Sequence, residues 1–95
     1  MLLESAPAAD ATLASSPDTL TLRFNNRIEK PLSRVRLVDG TGARRQLTLT
    51  ADTGSADRLV ATVPPLPPGT WRVEWQVLST DGHVVAGRFE FKIAP

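Results

Sequence analysis

The residues with the greatest potential for chemistry lie together in the segment Thr80-Asp81-Gly82-His83. His83 is the only histidine among the 95 residues, and the chain has no cysteine. A carboxylate and an imidazole on either side of a glycine turn can be directed towards one point, and both groups suit Cu(II), which favours tetragonal nitrogen and oxygen sites. Two ligands do not complete such a site, so further donors are required. The alternative interpretation is a plain β-hairpin connection, because Asp-Gly is a strong two-residue turn signal.

Enzymatic chemistry finds little support in the rest of the sequence. The absence of cysteine excludes disulfides, thiolate zinc sites and cysteine-based catalysis. A catalytic triad would need His83 as its base, yet no serine lies in a Gly-x-Ser-x-Gly setting. The segment Gly40-Thr41-Gly42 lacks the lysine and the following helix of a phosphate-binding loop. The number of acidic residues does not exclude a carboxylate pair for glycoside hydrolysis, but these residues are spread over strand exteriors and turns. We therefore expect that the protein is not an enzyme.

Length and charge restrict the classes of partner. A chain of 95 residues predicts a single domain over residues 1–95. The formal net charge of +1 argues against broad electrostatic binding to nucleic acid or to an anionic membrane. No apolar stretch approaches the roughly 20 residues that span a bilayer, so membrane insertion is not expected. The start Met1-Leu2-Leu3-Glu4 does not resemble a signal peptide, which fits a cytosolic protein or a mature exported domain whose signal has been removed.

Alternation of apolar and polar residues with a period of two dominates the chain, as in half-buried antiparallel strands. Turn-forming residues separate the alternating runs, and almost all of the eight prolines lie between them. This pattern predicts an all-β protein, a seven-stranded antiparallel Greek-key β-sandwich of the immunoglobulin-like type. The predicted strands contain residues 2–5, 20–24, 35–37, 47–49, 58–63, 71–77 and 89–93.

Two tryptophans, Trp71 and Trp75, are predicted to share one face of a strand. Val73 and Val77 lie on the same face, and polar residues occupy the other, which favours a place in the core between the sheets. The alternative is an exposed aromatic strip that binds a ligand such as a sugar.

Several segments together resemble one known family. Residues 66–83 contain a Pro/Gly turn, a strand with tryptophan and a Ser-x-Asp-Gly-His turn, and they resemble the signature near the end of copper-resistance protein C (CopC) proteins. Residues 85–93 resemble the last strand of that family, and residues 7–13 and 16–24 resemble its opening. The resemblance covers nearly the full length and keeps the order of the segments.

The resemblance implies a β-sandwich of the bacterial periplasm that binds Cu(II) through an N-terminal histidine, an aspartate and a second histidine. Asp81 would be a carboxylate ligand or a close outer-shell group, and His83 would be an imidazole ligand. The implied function is that of a Cu(II) carrier or chaperone in copper resistance or copper uptake. A membrane copper-transport protein would be the protein partner.

The chain also departs from the family pattern. With no histidine besides His83, the N-terminal histidine ligand is missing, and the amine of Met1 is the candidate for a further donor. Members often have Phe-Ser-Glu where this chain has Phe24-Asn25-Asn26. Met1 is the only methionine, so thioether ligation of Cu(I) is not supported. These departures leave open an immunoglobulin-like structural or protein-interaction module that has lost metal binding.

Overall fold

Nine β-strands form most of the part of the chain that the computed structural model describes, which comprises residues 2–50 and 55–95. A short 3-10 turn, Lys30–Leu32, lies between the third and fourth strands. The described residues include no helix with the length and apolar character needed to cross a membrane. The strands are β1 (Leu2–Ala6), β2 (Thr12–Leu13), β3 (Thr19–Phe24), β4 (Arg34–Val38), β5 (Arg44–Gln46), β6 (Thr48–Leu49), β7 (Arg58–Thr62), β8 (Gly69–Leu78) and β9 (Val84–Ile93).

The strands form two sheets that pack face to face. One sheet has four strands in the order β1-β3-β7-β6, and the other has five in the order β2-β9-β8-β4-β5. The pairing of β2 with β9 is parallel, and the other pairings between named strands are antiparallel. Consecutive strands such as β3 and β4 lie in different sheets, as in Greek-key sandwiches. The predicted all-β, immunoglobulin-like sandwich is confirmed.

The strand count differs from the predicted seven for a physical reason. The predicted strand at residues 47–49 corresponds to β6 in the four-stranded sheet, and the residues just before Leu47 form an additional strand, β5, in the five-stranded sheet. At this crossing the Leu47 side chain is buried and its N–H donates to the Val35 carbonyl at 2.9 Å. Strand β2 has only two residues, too few for alternation to reveal it.

The core lies between the inward faces of the two sheets. Strand β3 points Leu20, Leu22 and Phe24 inward, and each of these side chains is about 1% exposed. They meet residues of β8, where Trp75 contacts Phe24 edge-on with ring centroids 5.1 Å apart and an interplanar angle of 68°. Trp71 is half-buried and packs against the same core. The core interpretation of both tryptophans is therefore confirmed.

The β8–β9 hairpin carries the candidate metal-binding segment, residues 80–83. Its two ten-residue strands stay in register from the pair Gly69–Ile93 to the pair Leu78–Val84. Near the middle, Trp75 lies over Gly87, where an added Cβ would come within 2.5 Å of Trp75 Cζ2. Glycine is thus needed for the close approach of the indole ring. The hairpin holds residues 79–83 at one end of the sandwich.

Candidate metal site

Residues 79–83 connect β8 to β9, and at their centre Thr80, Asp81 and Gly82 form a three-residue turn. The Ser79 N–H donates to the His83 carbonyl at 2.8 Å, and the Gly82 N–H donates to the Ser79 carbonyl at 2.9 Å. Gly82 has φ of +92°, the left-handed conformation that follows the turn in three-residue hairpins. Asp-Gly therefore lies in a hairpin turn, as both the metal-site and the plain-connection interpretations require, but the expected two-residue turn is wrong. The additional loop residue is Thr80, and its N–H donates a hydrogen bond to the Arg27 carbonyl at 3.1 Å.

This turn brings Asp81 and His83 together. Asp81 Oδ1 accepts a hydrogen bond from the His83 N–H at 3.1 Å, and Asp81 Oδ2 lies 3.2 Å from His83 Nδ1. The side chains are exposed, at 50% for Asp81 and 80% for His83. Both groups are therefore accessible to an incoming ion or to a partner protein.

Neighbouring donors keep the Asp81 carboxylate ionised. The Ser79 side chain, then the His83 backbone N–H and then the charge of the His83 ring lower the pKa of Asp81, because each favours the anion. A metal ligand must be deprotonated, so this lowered pKa suits Asp81 to ligation. Ser79 has no place among the sequence-predicted site residues. The position of a serine two residues before the aspartate, typical of such local hydrogen bonding, is the signal that could have indicated it.

The separation of the pair suits a shared ion. Two donor atoms that each lie about 2.0–2.1 Å from a metal and subtend a right angle are roughly 2.9 Å apart. The 3.2 Å between Asp81 Oδ2 and His83 Nδ1 is close to that value, so small side-chain movements would let both bind one ion in adjacent positions. Alternatively, Asp81 holds Nδ1 and leaves the other ring nitrogen of His83 to bind, which makes the carboxylate an outer-shell group.

Further donors would have to come from the surroundings of the turn. A small cavity of about 100 Å³ adjoins it, and Phe24, Asn25 and Asn26 line that cavity together with Asp81 and His83. Leu2 is paired with Phe24, so β1 begins at this end of the sandwich. Within residues 2–50 and 55–95, no group of three or more acidic or histidine side chains could hold a metal ion. The third predicted donor, Met1, lies outside the described residues.

Comparisons with known proteins agree on one class of protein. The CopC domain model matches residues 2–94. Protein YobA of Escherichia coli K12 is 33% identical over 97 residues, which cover 97% of this chain and 76% of that protein. A copper resistance protein C from Escherichia coli is 28% identical over 100 residues, covering 97% of this chain and 79% of that protein.

A solved structure extends the similarity to three dimensions. The crystal structure of CopC from Methylosinus trichosporium OB3b superposes with a TM-score of 0.91 and 31% sequence identity, covering 100% of this chain and 93% of that one. The fold is thus an immunoglobulin-like sandwich with an Asp-Gly-His turn at one end. The chain belongs to the CopC family.

Proposed function

We propose that this chain is a periplasmic copper-binding protein that carries Cu(II) in copper resistance or copper uptake, with Asp81 and His83 as its ligands. The observation that carries the proposal is the 3.2 Å separation of Asp81 Oδ2 and His83 Nδ1 on a turn held by main-chain hydrogen bonds. Family membership supports it, since a relative is named copper resistance protein C. In this proposal residues 1–95 form one CopC-like domain.

The exposure of the pair suits carriage. A carrier must release its ion, and ligands that are 50% and 80% exposed can be approached by the donors of a receiving protein. Reversible binding and transfer need no catalytic group, which is consistent with a protein that is not an enzyme. We propose a membrane copper-transport protein as the partner that exchanges the ion.

A further donor is needed because Cu(II) favours about four nitrogen and oxygen ligands. We propose that the start of the chain supplies it, in this sequence the amine of Met1. Support comes from the pairing of Leu2 with Phe24, a residue that lines the same cavity as Asp81 and His83. Solvent water can occupy any remaining position.

A second candidate function is an immunoglobulin-like module for structure or protein interaction that no longer binds metal. It is favoured by the finding that the described residues bring only two metal-binding side chains together at the turn. Such a module would keep Asp81 and Gly82 only for the geometry of the hairpin.

Thermal unfolding with and without one equivalent of Cu(II) separates these functions, because an ion that binds only the folded state raises the melting temperature. We expect a rise for the wild type that is lost in His83→Ala and reduced in Asp81→Asn. The matched control is Asp39→Asn, since Asp39 is also followed by glycine in a turn and also has a lowered pKa. No rise for the wild type, or an equal rise in His83→Ala, would contradict the proposed copper function.

A further inference from the structure

The outward side of the five-stranded sheet concentrates positive charge. Alternation along β4, β5, β8 and β9 points one set of residues away from the core, and we call this set the basic face. It holds six cationic and two anionic residues, an excess of four positive charges. The rest of the sequence has five basic and eight acidic residues. The charged members of the basic face are Arg34, Arg36, Arg44, Arg72, Glu74, Arg88, Glu90 and Lys92.

A single carboxylate organises the centre of the basic face. Glu74 lies 3.2 Å from Arg36 Nη2, 3.6 Å from Arg44 Nε and 3.3 Å from Arg72 Nε. Its side chain is only 15% exposed, whereas those of Arg36 and Arg44 are 48% and 58% exposed. The carboxylate offsets one of three charges and lies beneath them, so a partner meets the guanidinium groups.

An apolar residue lies between two arginines of the basic face. Val38 points to the outside, yet it is only 2% exposed. Its neighbours in the two adjacent strands are Arg44 and Arg72, whose aliphatic stems can cover it while their charged ends stay in water. Side chains that are already packed lose less conformational freedom when a partner binds.

One end of the basic face is apolar. Val84 is 62% exposed and is paired with Leu78, and Leu32 on the adjoining 3-10 turn is 63% exposed. The turn is held against the same strand end, because the Glu29 N–H donates to the Leu78 carbonyl at 2.7 Å. Arginine is enriched at protein interfaces, and the buried centre of an interface is more apolar than the rest of the surface.

We infer that the basic face, with Leu32 and Val84 at its end, is a docking surface for an acidic patch of another protein. The partner would present carboxylates beside apolar side chains. A second copy of this face would oppose like charges, which is unfavourable. At about 4.8 Å between strands and 3.3 Å along them, each residue covers roughly 16 Å², so the 28 residues of β4, β5, β8 and β9 give roughly 440 Å². That area is about half of the roughly 800 Å² per partner of a standard interface and suits a weak, transient contact. The inference does not depend on copper binding.

The test uses the whole protein in metal-free, low-salt buffer with two fluorescent peptides, a poly-glutamate peptide and a glutamate peptide with leucine at intervals. Binding is measured by anisotropy. We expect Arg34→Gln/Arg88→Gln to weaken binding of both peptides about five-fold. The control Arg27→Gln/Arg45→Gln removes the same charge from exposed positions outside the basic face and should change binding less than about two-fold. Leu32→Ser should weaken only the leucine-containing peptide.

Three results would overturn the inference. Equal weakening by both double variants, or no binding of either peptide, would mean that the basic face is not a specific docking surface. Tighter binding of duplex DNA or of phosphatidylglycerol vesicles, lost in the Arg34→Gln/Arg88→Gln variant, would assign the face to another class of partner.

Discussion

The contact between Gly87 and Trp75 allows a sharp test of how the β8–β9 hairpin is packed. In Gly87→Ala the new Cβ would lie 2.5 Å from Trp75 Cζ2 and 2.9 Å from Cε2, whereas ordinary contacts begin at 3.4 Å. The indole ring must therefore move by about 1 Å or the hairpin must distort. Movement is opposed because the ring already packs against Phe24 in the core.

The magnitude follows from two opposing effects. Overpacking of a well-packed core costs about 1–3 kcal/mol. Replacing glycine by alanine also stabilises the folded state by about 0.4–1 kcal/mol, because alanine lowers the conformational entropy of the unfolded chain. We expect a net loss of about 1–2 kcal/mol, which lowers the melting temperature of a domain of this size by roughly 4–16 °C.

Urea and thermal unfolding of both variants would measure this loss. Gly40→Ala is the matched control, since Gly40 has no atom within 4 Å of an added Cβ and no positive φ. It should be as stable as the wild type or more stable by up to about 1 kcal/mol. If Gly87→Ala were as stable as Gly40→Ala, the close packing of Trp75 on Gly87 would be wrong.

Three further changes test other parts of the fold. Gly82→Ala places a side chain at φ of +92° and should cost about 1–2 kcal/mol, measured by urea unfolding; an unchanged midpoint would contradict the turn geometry. Glu74→Gln leaves three arginines without their carboxylate and should cost about 1–2 kcal/mol, less at high salt because the arginine side chains are partly exposed; a loss independent of salt would argue against an electrostatic role. Asp39 accepts hydrogen bonds from the Thr41 hydroxyl and N–H and from the Ala43 N–H, which lower its pKa from 3.8. Its contribution to stability is present above pH 3.8 and is lost as the pH falls through its lowered pKa, so Asp39→Ala should be less stable than the wild type at pH 7, and the difference should narrow in acid. A difference that stayed constant with pH would contradict this assignment.

Much of the fold could be predicted from the sequence, because inward and outward residues alternate wherever a strand has one buried face. The tryptophans of β8 are an example, since their valine neighbours indicate the buried side. The division of the 44–49 region between two sheets could not be predicted. Leu47 is apolar and buried in either arrangement, so the pattern does not show which sheet each neighbour joins.

The candidate site was predictable only in part. Asp81 and His83 are close in sequence, so a turn brings them together whatever the rest of the fold does. The role of Ser79 depends on a three-residue loop that the Asp-Gly pair does not indicate. The basic face was hidden for another reason. Its residues come from four strands and are scattered along the sequence. The only two adjacent basic residues are Arg44 and Arg45, and Arg45 is not part of the basic face, because it is paired with Leu37 and points to the other side of the sheet.

The most direct test of the central claim is a Cu(II) titration followed by electron paramagnetic resonance, with the wild type and His83→Ala compared at neutral pH. We expect one bound Cu(II) per wild-type chain, a spectrum with nitrogen coupling from the imidazole, and loss of that coupling and of binding in His83→Ala. Acidification should release the ion, because protons compete for the ring nitrogen. The same stoichiometry, affinity and spectrum in His83→Ala would contradict the assignment of His83 and Asp81 as the copper site.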